Sequence, residues 1–357
     1  MSEQRCRRGM TRRDVVRTSV IAGAGITLAG VGTFWLPERR AAARQDGNYT
    51  IAFIQGVIGD NFYITMDCGA RARAEALGAT IETQGPEKFD QTLQTPILNA
   101  VVQSGPDAIM MAPNDSQGMI APIQAALDAG IPVFCVDTTI NSDIQLADVS
   151  TDNVEGGRLA ARGLAEAIGE QGKVFVINVT PGISTTDQRQ QGFEEEIANY
   201  PEIEYLGSEY SNNDANRAAE IATARLQSDP DLAGIFGTNL FSAQGGAAGI
   251  RQAGKQGVVK MVGFDAGPTQ VEDLRSEVVD ILIAQHPGEI GETAVQLIVD
   301  YLSTGQAPEP KEVVTGATIV TRDNIEDPEV ARYLYVADCS EYEGGDATPA
   351  AGATPTA

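Results

Sequence analysis

Apolar, strand-like runs alternate with helix-like segments along most of this chain, and this alternation constrains its fold more than any other feature. From Tyr49 onward, runs such as YTIAFIQ and AIMMAP recur roughly every 25 to 30 residues, with helical spacing of apolar residues between them. Strands that alternate with helices in this way form βαβ units around a parallel sheet. The sequence therefore predicts an α/β protein.

The strand-like runs fall into two series, which predicts two doubly wound lobes. The first series starts at Tyr49 and has four strands and three helices, ending in VFCVD. The second opens with a helix from Asn153 to Ile168 and continues to VKMVGFD. The strand VVDILIAQ, a helix from Glu289 to Leu302 and a last strand ATIVTRDNI follow. We therefore expect the chain to pass between the lobes more than once, which would form a hinge.

This pattern predicts a division of the 357 residues into four parts. They are an export signal (1–43), an N-terminal lobe (48–150 and 286–312), a C-terminal lobe (151–285 and 313–326) and a C-terminal extension (327–357). The extension ends in the low-complexity run GGDATPAAGATPTA after Glu343. Because this run has too little apolar surface to form a core, we expect it to be disordered.

The first 43 residues have the pattern of a targeting segment. Arg12 and Arg13 precede an apolar run that ends at Leu36, and three alanines follow, up to Ala43. The pattern resembles a twin-arginine export signal, whose removal would leave a soluble protein in the periplasm or another extracytoplasmic space. A retained membrane anchor is the alternative, although the Gly- and Ala-rich run is weakly hydrophobic for a membrane span.

The charge of the chain argues against nucleic acids and anionic membranes as partners. The chain has 25 Lys and Arg against 49 Asp and Glu; without residues 1–43, 17 basic and 46 acidic residues remain, a net charge of −29. Such a surface repels phosphates. A DNA-binding role would also need a basic helix-turn-helix at the N-terminus, where the export pattern stands.

Cysteine and histidine are too scattered to indicate a metal site or a catalytic centre. Beyond the export pattern, Cys68, Cys135 and Cys339 lie far apart and form no CxxC motif. We expect Cys135, inside IPVFCVD, to be a small buried hydrophobic residue. The single histidine, His286, is expected to be structural. Because GxSxG, GxxxxGK[ST] and HExxH motifs are missing, we expect neither enzymatic activity nor a cofactor.

Polar and aromatic residues stand at the ends of the predicted strands. The run VVKMVGFD ends at Asp265 and VVDILIAQ ends at Gln285. In open α/β sheets, ligands bind outside the carboxyl ends of the strands. Either residue alone could instead cap the helix that follows. The other residues at strand ends are Asp60, Phe62, Tyr63, Asp137, Thr138 and Asn239.

This set of side chains favours a polyhydroxylated ligand. Carboxylates and amides exchange hydrogen bonds with hydroxyl groups. Aromatic rings pack on the apolar C–H faces of a sugar ring. The sequence therefore predicts a small-molecule binding site for a sugar or polyol.

Seven motifs follow one another between about Tyr49 and Ile325: IAFIQGVIGDNFY, IPVFCVDTT, VSTDNVEGGRLAA, STTDQRQQGFEE, GIFGTN, VGFDAGP and ILIAQHPGEIG. In their order and spacing, these motifs resemble the type I periplasmic sugar-binding proteins of ABC importers. That family includes ribose-, galactose- and allose-binding proteins and shares its core with LacI-type repressors. The resemblance implies two parallel-sheet lobes joined by a multi-strand hinge, in a monomer that closes on a sugar and delivers it to an ABC permease with a separate ATPase.

The resemblance also implies roles for individual residues. Phe62 and Tyr63 would sandwich the sugar ring. The residues that would bind its hydroxyl groups are Asp137, Asn239, Asp265 and Gln285.

Two positions depart from the ribose-binding pattern. Where ribose-binding members tend to have arginines, this chain has Thr138 and Asp187, which argues against ribose. Arg189 is a candidate replacement, although an offset of two residues on a helix points to a different side. If Asp187 faces the cleft, the pocket favours a donor-rich ligand such as a polyol or an amine-bearing sugar. The alternative is that Asp187 starts a helix capped by Ser184 or Thr185.

A ligand-binding receptor is the main alternative function. The same closed form could present a sugar or autoinducer to a membrane sensor. Neighbouring genes for a permease and an ATPase, rather than for a lone kinase, would favour transport.

Overall fold

The structure is a computed structural model in which residues 48–342 are described. They form two sheets of six strands each, with helices on the faces of both. The predicted α/β fold with two doubly wound lobes is therefore confirmed. The predicted export signal and the low-complexity tail after Glu343 lie outside the described residues. Within 48–342, no helix has the length and apolar character needed to cross a membrane.

The elements up to residue 151 build the first sheet and its helices. In chain order they are β1 (Thr50–Ile54), α1 (Asn61–Ala76), β2 (Thr80–Gln84), α2 (Gln91–Ser104), β3 (Ala108–Met111), α3 (Ile120–Asp128), β4 (Val133–Val136) and β5 (Asp148–Thr151).

The next elements build the second sheet. They are α4 (Asn153–Ala167), β6 (Gly172–Asn178), α5 (Ser184–Ile197), β7 (Ile203–Tyr210), α6 (Ala215–Ser228), β8 (Leu232–Gly237), α7 (Leu240–Gln252), β9 (Lys260–Phe264), α8 (Pro268–Arg275) and β10 (Ile281–Gln285).

The last elements pass between the lobes and form the extension. They are α9 (Pro287–Thr304), β11 (Glu312–Thr315), β12 (Ala317–Val320), α10 (Pro328–Ala331) and a 3₁₀ helix (Cys339–Glu341).

The two sheets have the same strand order. The first is β11-β5-β4-β3-β1-β2 and the second is β12-β10-β9-β8-β6-β7. Strand β4 therefore corresponds to β9, and β5 corresponds to β10. The edge strands differ, because β11 is parallel to β5 whereas β12 is antiparallel to β10. The chain crosses between the sheets after β5, β10 and β11, so the expectation of more than one crossing is confirmed.

Two short strands, β5 and β11, differ from the sequence-based expectation. We expected four strands in the first series and a lobe boundary between residues 312 and 313. That boundary is wrong, because it falls inside β11, which pairs along its whole length with β5. Each strand has only four residues, DVST and EVVT, with little apolar periodicity to reveal it. The predicted boundary between residues 150 and 151 is also misplaced by one residue, because Thr151 is the last residue of β5. The boundary between residues 285 and 286 stays a prediction.

The central strands and the helix ends follow from local sequence. Strands β3 and β4 read AIMM and VFCV and are buried along their whole length, as expected for strands covered on both faces. Helix α1 begins after Asp60, whose carboxylate accepts the Phe62 N–H, and α7 begins after Asn239, which accepts the Ser242 N–H. These caps fix where the helices start, at the edge of each sheet where ligands bind.

The C-terminal extension is tied to the first lobe by a disulfide. Cys339 is bonded to Cys68 on α1, 271 residues away in sequence. Disulfides form and persist in oxidising compartments and restrict the unfolded chain. Cys135 is free and fully buried in β4, which confirms its expected character as a small core residue.

Candidate functional site

Two aspartates occupy equivalent positions in the two lobes. Asp137 follows β4 and Asp265 follows β9, at the carboxyl ends of corresponding strands. Both have positive φ angles, 60° and 77°. Such conformations are uncommon outside glycine and cluster at functional sites. Both side chains line one cavity between the lobes.

The cavity encloses an empty volume of about 390 Å³, its mouth included. Of the predicted site residues, eight line it: Asp60, Phe62, Tyr63, Asp137, Arg189, Asn239, Asp265 and Gln285. The structure thus brings these eight together, and their role in binding a ligand stays a prediction.

The N-terminal lobe contributes two carboxyl groups with few protein partners. Asp137 Oδ2 accepts a hydrogen bond from the Tyr63 hydroxyl at 2.7 Å. Asp60 Oδ1 accepts the Phe62 N–H at 2.9 Å. Both aspartates are buried. Within residues 48–342 these are the side-chain hydrogen bonds found for the two carboxyls, so each keeps oxygen lone pairs for a ligand.

Burial changes the protonation of these two groups. Removal from water and, as the second cause, the nearby Asp265 charge raise the pKa of Asp60 to about 8. Burial also raises the pKa of Asp137, to about 6, although Arg189 and the Tyr63 hydroxyl act in the opposite direction. At neutral pH the Asp60 carboxyl is therefore mostly protonated and can donate as well as accept a hydrogen bond.

The C-terminal lobe holds its carboxylate in a complete network. Asp265 Oδ1 accepts from Gln285 Nε2 at 2.7 Å and from the Tyr335 hydroxyl at 2.8 Å. Its Oδ2 accepts the Leu240 N–H at 2.8 Å. Gln285 Oε1 in turn accepts from Thr151 Oγ1 at 2.8 Å, which joins β10 to the end of β5 across the hinge. Neither Asp265 nor Gln285 caps the helix that follows it.

Arg189 supplies the positive charge of the cavity. Its guanidinium donates to Asn153 Oδ1 at 2.8 Å and to the Thr238 carbonyl at 3.0 Å, and lies 3.8 Å above the centre of the Phe264 ring. Its buried Nη2 has no hydrogen-bond partner within the described part of the chain. An unpaired buried donor in a cavity wall is available for a ligand oxygen.

Close packing of two helices sets the position of Arg189. A Cβ atom at Gly157 of α4 would lie 2.0 Å from the Arg189 carbonyl oxygen. Only glycine permits this approach of α4 to α5. The neighbouring element thus fixes the backbone from which the guanidinium reaches the cavity.

Asn239 is held by a second amide. Its Oδ1 caps α7, and its Nδ2 donates to Asn213 Oδ1 at 2.7 Å. Asn213 also lines the cavity and has a positive φ of 58°. The pair presents amide groups to the cavity beside Asp265.

Thr138 and Asp187 are the predicted site residues that do not line the cavity. Thr138 is buried and directly follows Asp137, whose φ is positive. Asp187 is exposed and accepts the Gly182 N–H at 2.8 Å. The face of α5 toward the cavity carries Thr185 and Arg189, one helical turn apart, and Asp187 lies on another face. The cavity therefore has three aspartates, not four.

Asp187 belongs to the first turn of α5, which begins at Ser184. The expected cap by Ser184 or Thr185 is wrong, because Ile183 is the N-cap and offers no side-chain hydrogen bond. The Ser184 hydroxyl is used elsewhere, at the lobe interface.

The aromatic rings do not form the expected sandwich. The Phe62 and Tyr63 rings are 5.1 Å apart and nearly perpendicular, at 75°. Consecutive helical residues point about 100° apart, so these two rings form a corner and leave no gap for a sugar between them. Phe89 lines the same cavity and is an aromatic residue that sequence reasoning missed.

Other lining residues were also missed because they come from loops and from the start of α5. They are Val179, Ile183, Thr185, Thr186 and Asn213. Most candidates were identified in the sequence by their position after a strand, and of these five residues only Val179 directly follows a strand, β6. Its apolar side chain carried no signal for a polar ligand.

Two hydrogen bonds join the lobes at the rim of the cavity. The Ser116 N–H donates to the Gly182 carbonyl at 3.1 Å, and the Thr139 N–H donates to Ser184 Oγ at 3.0 Å. Each pair has one residue from either lobe. The cavity is therefore closed on this side by direct contact between the lobes.

His286 lies at the hinge and does not line the cavity. Its Nδ1 is 3.2 Å from Glu289 Oε2, its Nε2 is 2.9 Å from Thr318 Oγ1, and its ring stacks on Tyr333 at 3.5 Å. These contacts connect α9, β12 and the extension, in line with the expected structural role. Among residues 48–342, no group of three or more His, Cys, Asp or Glu is placed to hold a metal ion.

Sequence comparison gives the family. Residues 51–307 match the periplasmic binding protein domain family, most of the described chain. The chain belongs to this family. Membership of a periplasmic family indicates a location outside the cytoplasm. The export pattern in the sequence predicts the same general location. Members of this family are binding proteins, which fits a cavity between two hinged lobes.

Two relatives of this chain are named as sugar-binding proteins. This chain is 26% identical to a ribose import binding protein of Bacillus subtilis over 74% of this chain and 87% of the relative. A D-ribose/D-allose-binding protein of Pseudomonas aeruginosa is 28% identical over 68% and 78%.

Solved structures extend the comparison. An ABC transporter solute-binding protein from Agrobacterium vitis, bound with α-D-tagatopyranose, is 47% identical, with a TM-score of 0.79 over 81% of this chain and 99% of that chain. A carbohydrate transporter solute-binding protein from Agrobacterium radiobacter, in complex with D-arabinose, is 28% identical, with a TM-score of 0.77 over 81% and 99%.

Proposed function

We propose that this protein is the extracytoplasmic solute-binding component of an ABC importer and captures a monosaccharide or polyol between its lobes. The observation that carries the proposal is the cavity of about 390 Å³, whose wall comes from both lobes and combines carboxyls, amides, one arginine and aromatic rings. Groups of these types hydrogen-bond sugar hydroxyls and pack against C–H faces. The relative at 47% identity, bound with α-D-tagatopyranose, supports the same ligand class.

The cavity favours a neutral sugar over an amine-bearing one. Asp187 is turned away, the pKa of Asp60 is raised to about 8 by burial, and Arg189 adds a positive charge. Of the three cavity aspartates, Asp60 is therefore largely neutral at physiological pH. A ketohexose in its pyranose form is the first candidate, because the relative with the highest identity quoted above holds one.

Ligand capture operates through closure of the hinge. Wall residues from both lobes contact the ligand only when the lobes approach, so the ligand binds the closed state better and shifts the population toward it. The hydrogen bonds that Ser116 and Thr139 donate at the rim add to the stability of the closed state. Only the closed form presents both lobes to the permease in one arrangement.

A thermal-shift screen tests the proposed function. The protein is heated with D-tagatose, D-arabinose, D-fucose, D-allose, D-ribose, polyols and amino sugars. A ligand that binds only the folded state raises the melting temperature. We expect a rise of several degrees with one neutral sugar or polyol, followed by a 1:1 calorimetric titration. No rise with any compound would contradict the proposal.

Export through residues 1–43 is a separate part of the proposal. The Cys68–Cys339 disulfide supports it, because disulfides persist in oxidising compartments. Replacing Arg12 and Arg13 by lysine should trap the precursor in the cytoplasm. Fractionation and N-terminal sequencing of the mature protein measure this, and normal export of the double variant would contradict a twin-arginine route.

A further inference from the structure

We propose that the described part of the C-terminal extension, residues 327–342, forms part of the ligand site, in which Tyr335 positions Asp265 and Gln285. The inference rests on the proposed sugar-binding function. The extension lies outside residues 51–307, the part of the chain that matches the family. It therefore adds to the shared domain a residue that acts behind the cavity wall.

The Tyr335 hydroxyl is a junction between two cavity residues. It donates to Asp265 Oδ1 at 2.8 Å and accepts the Gln285 N–H at 3.1 Å. The side chain is only 4% exposed. Burial, with the Asp265 charge, raises the pKa of Tyr335 well above its ordinary value, so the hydroxyl stays a donor. One oxygen thus fixes both the Asp265 carboxylate and the end of β10.

The backbone around Tyr335 is held between the lobes. The Tyr335 N–H donates to the Ala266 carbonyl of the C-terminal lobe at 3.0 Å. The Val336 N–H donates to Thr65 Oγ1 at 3.0 Å, and the Val336 carbonyl accepts from Asn61 Nδ2 at 3.1 Å, both on α1 of the N-terminal lobe. Two consecutive residues therefore bind opposite lobes next to the cavity.

The extension is also covalently bonded to α1. The Cys339–Cys68 disulfide joins it to α1, whose first turn carries the cavity residues Phe62 and Tyr63. The Phe62 and Tyr335 rings are also in contact, with centroids 5.9 Å apart. The disulfide thus holds Tyr335 against the walls of both lobes.

The consequence for ligand binding follows from the geometry. Without the Tyr335 hydroxyl, Asp265 loses one of three donors and the buried Gln285 N–H loses its acceptor. Both side chains that face the ligand then gain freedom to move. Ordering them again when a sugar binds costs affinity, because immobilising loosened side chains lowers the net binding energy.

The test compares two Tyr→Phe changes in the same extension. Tyr335→Phe removes the hydroxyl and keeps the ring. Tyr333→Phe is the matched control, because its hydroxyl donates to Glu289 Oε1 at 3.2 Å and not to a cavity residue. Calorimetric titration of the full exported protein with D-tagatose, or with the best sugar of the screen if tagatose fails, should show about tenfold weaker binding for Tyr335→Phe. Tyr333→Phe should bind within about twofold of wild type.

A double variant separates positioning from a general loss of structure. If Tyr335 acts through Asp265, Tyr335→Phe in an Asp265→Asn background should weaken binding by less than about twofold. A full tenfold loss in both backgrounds, or wild-type affinity of Tyr335→Phe, would overturn the inference. If wild type binds no sugar, the proposed function fails first, and this inference with it.

A second variant covers the case in which Tyr335→Phe does not fold. Cys68→Ser with Cys339→Ser releases the end of the extension and keeps Tyr335. We expect about threefold weaker sugar binding from the looser position of the hydroxyl. Unchanged affinity of this folded double variant would overturn the inference.

Discussion

Asp137 and Asp265 are equivalent residues in two lobes of the same strand order, yet their surroundings differ. Both follow corresponding strands and both have positive φ angles. Asp265 accepts three hydrogen bonds from the protein, whereas the Asp137 carboxylate accepts one, from Tyr63. The C-terminal lobe therefore presents a preorganised carboxylate, and the N-terminal lobe presents one with free acceptor capacity.

This difference separates two ways of contributing to one site. A carboxylate with a complete network is part of the fold and cannot be changed without cost to stability. A carboxylate with spare lone pairs carries a desolvation cost that a ligand hydroxyl relieves. Function and stability should therefore be coupled on the C-terminal side and separable on the N-terminal side.

Asp265→Asn should have the largest effect. The amide oxygen of asparagine can accept hydrogen bonds from at most two of the three donors, and its NH₂ group would face the third. At least one buried donor is therefore left unpaired. We expect a loss of about 2–4 kcal/mol in the free energy of unfolding and more than about 100-fold in sugar affinity. Chemical denaturation and calorimetry measure both. Asp187→Asn is the control, expected near wild type in both, since Asp187 is exposed and outside the cavity.

Asp137→Asn should lose a similar amount of affinity with little loss of stability. The Tyr63 hydroxyl keeps an acceptor in the amide oxygen, while the charged acceptor for sugar hydroxyls is gone. We expect binding about 100-fold weaker and stability within about 1 kcal/mol of wild type. A loss of stability equal to that of Asp265→Asn would show that the two positions are not different in kind.

Asp60→Asn should stabilise the ligand-free protein as pH rises. The pKa of Asp60 is raised from 3.8 to about 8 in the folded state, so between these values the folded protein holds a proton that the unfolded chain has lost. The stability that this group contributes is fully present below the unfolded-state pKa of 3.8. It is lost as pH rises from there through the folded-state pKa of about 8, by up to about 1.4 kcal/mol per pH unit.

Asparagine keeps the cap on the Phe62 N–H and does not titrate. The unfolding free energy of the variant should therefore fall less steeply than that of wild type between about pH 5 and pH 8. Urea denaturation at several pH values measures the two slopes. Equal slopes would rule out Asp60 as a buried, protonated group.

Ser184→Ala should have the smallest effect. It removes the acceptor of the Thr139 N–H at the rim, a contact made only between the lobes. We expect sugar affinity about two- to fivefold weaker, with little change in the stability of either lobe. Ser228→Ala, at the end of α6 and away from the rim, is the control. Equal behaviour of the two variants would mean that the rim contact adds nothing to closure.

The position of site residues after strands was readable from sequence because parallel strands end at one edge of a sheet. This reasoning found Asp137, Asp265 and Gln285, which line the cavity. It failed for Thr138, which is buried but does not line the cavity. It also missed Phe89, which lies in the loop between β2 and α2, five residues after the end of β2.

The sequence by itself determined the α/β alternation, the two series of strands and the side chains at strand ends. These depend on local periodicity and on rules that hold for every parallel sheet. Only the tertiary structure decided that Tyr335 bonds to Asp265, about 70 residues away, and that Cys339 bonds to Cys68, about 270 residues away. Contacts between distant segments depend on how the lobes pack, and no local pattern in the chain records that packing.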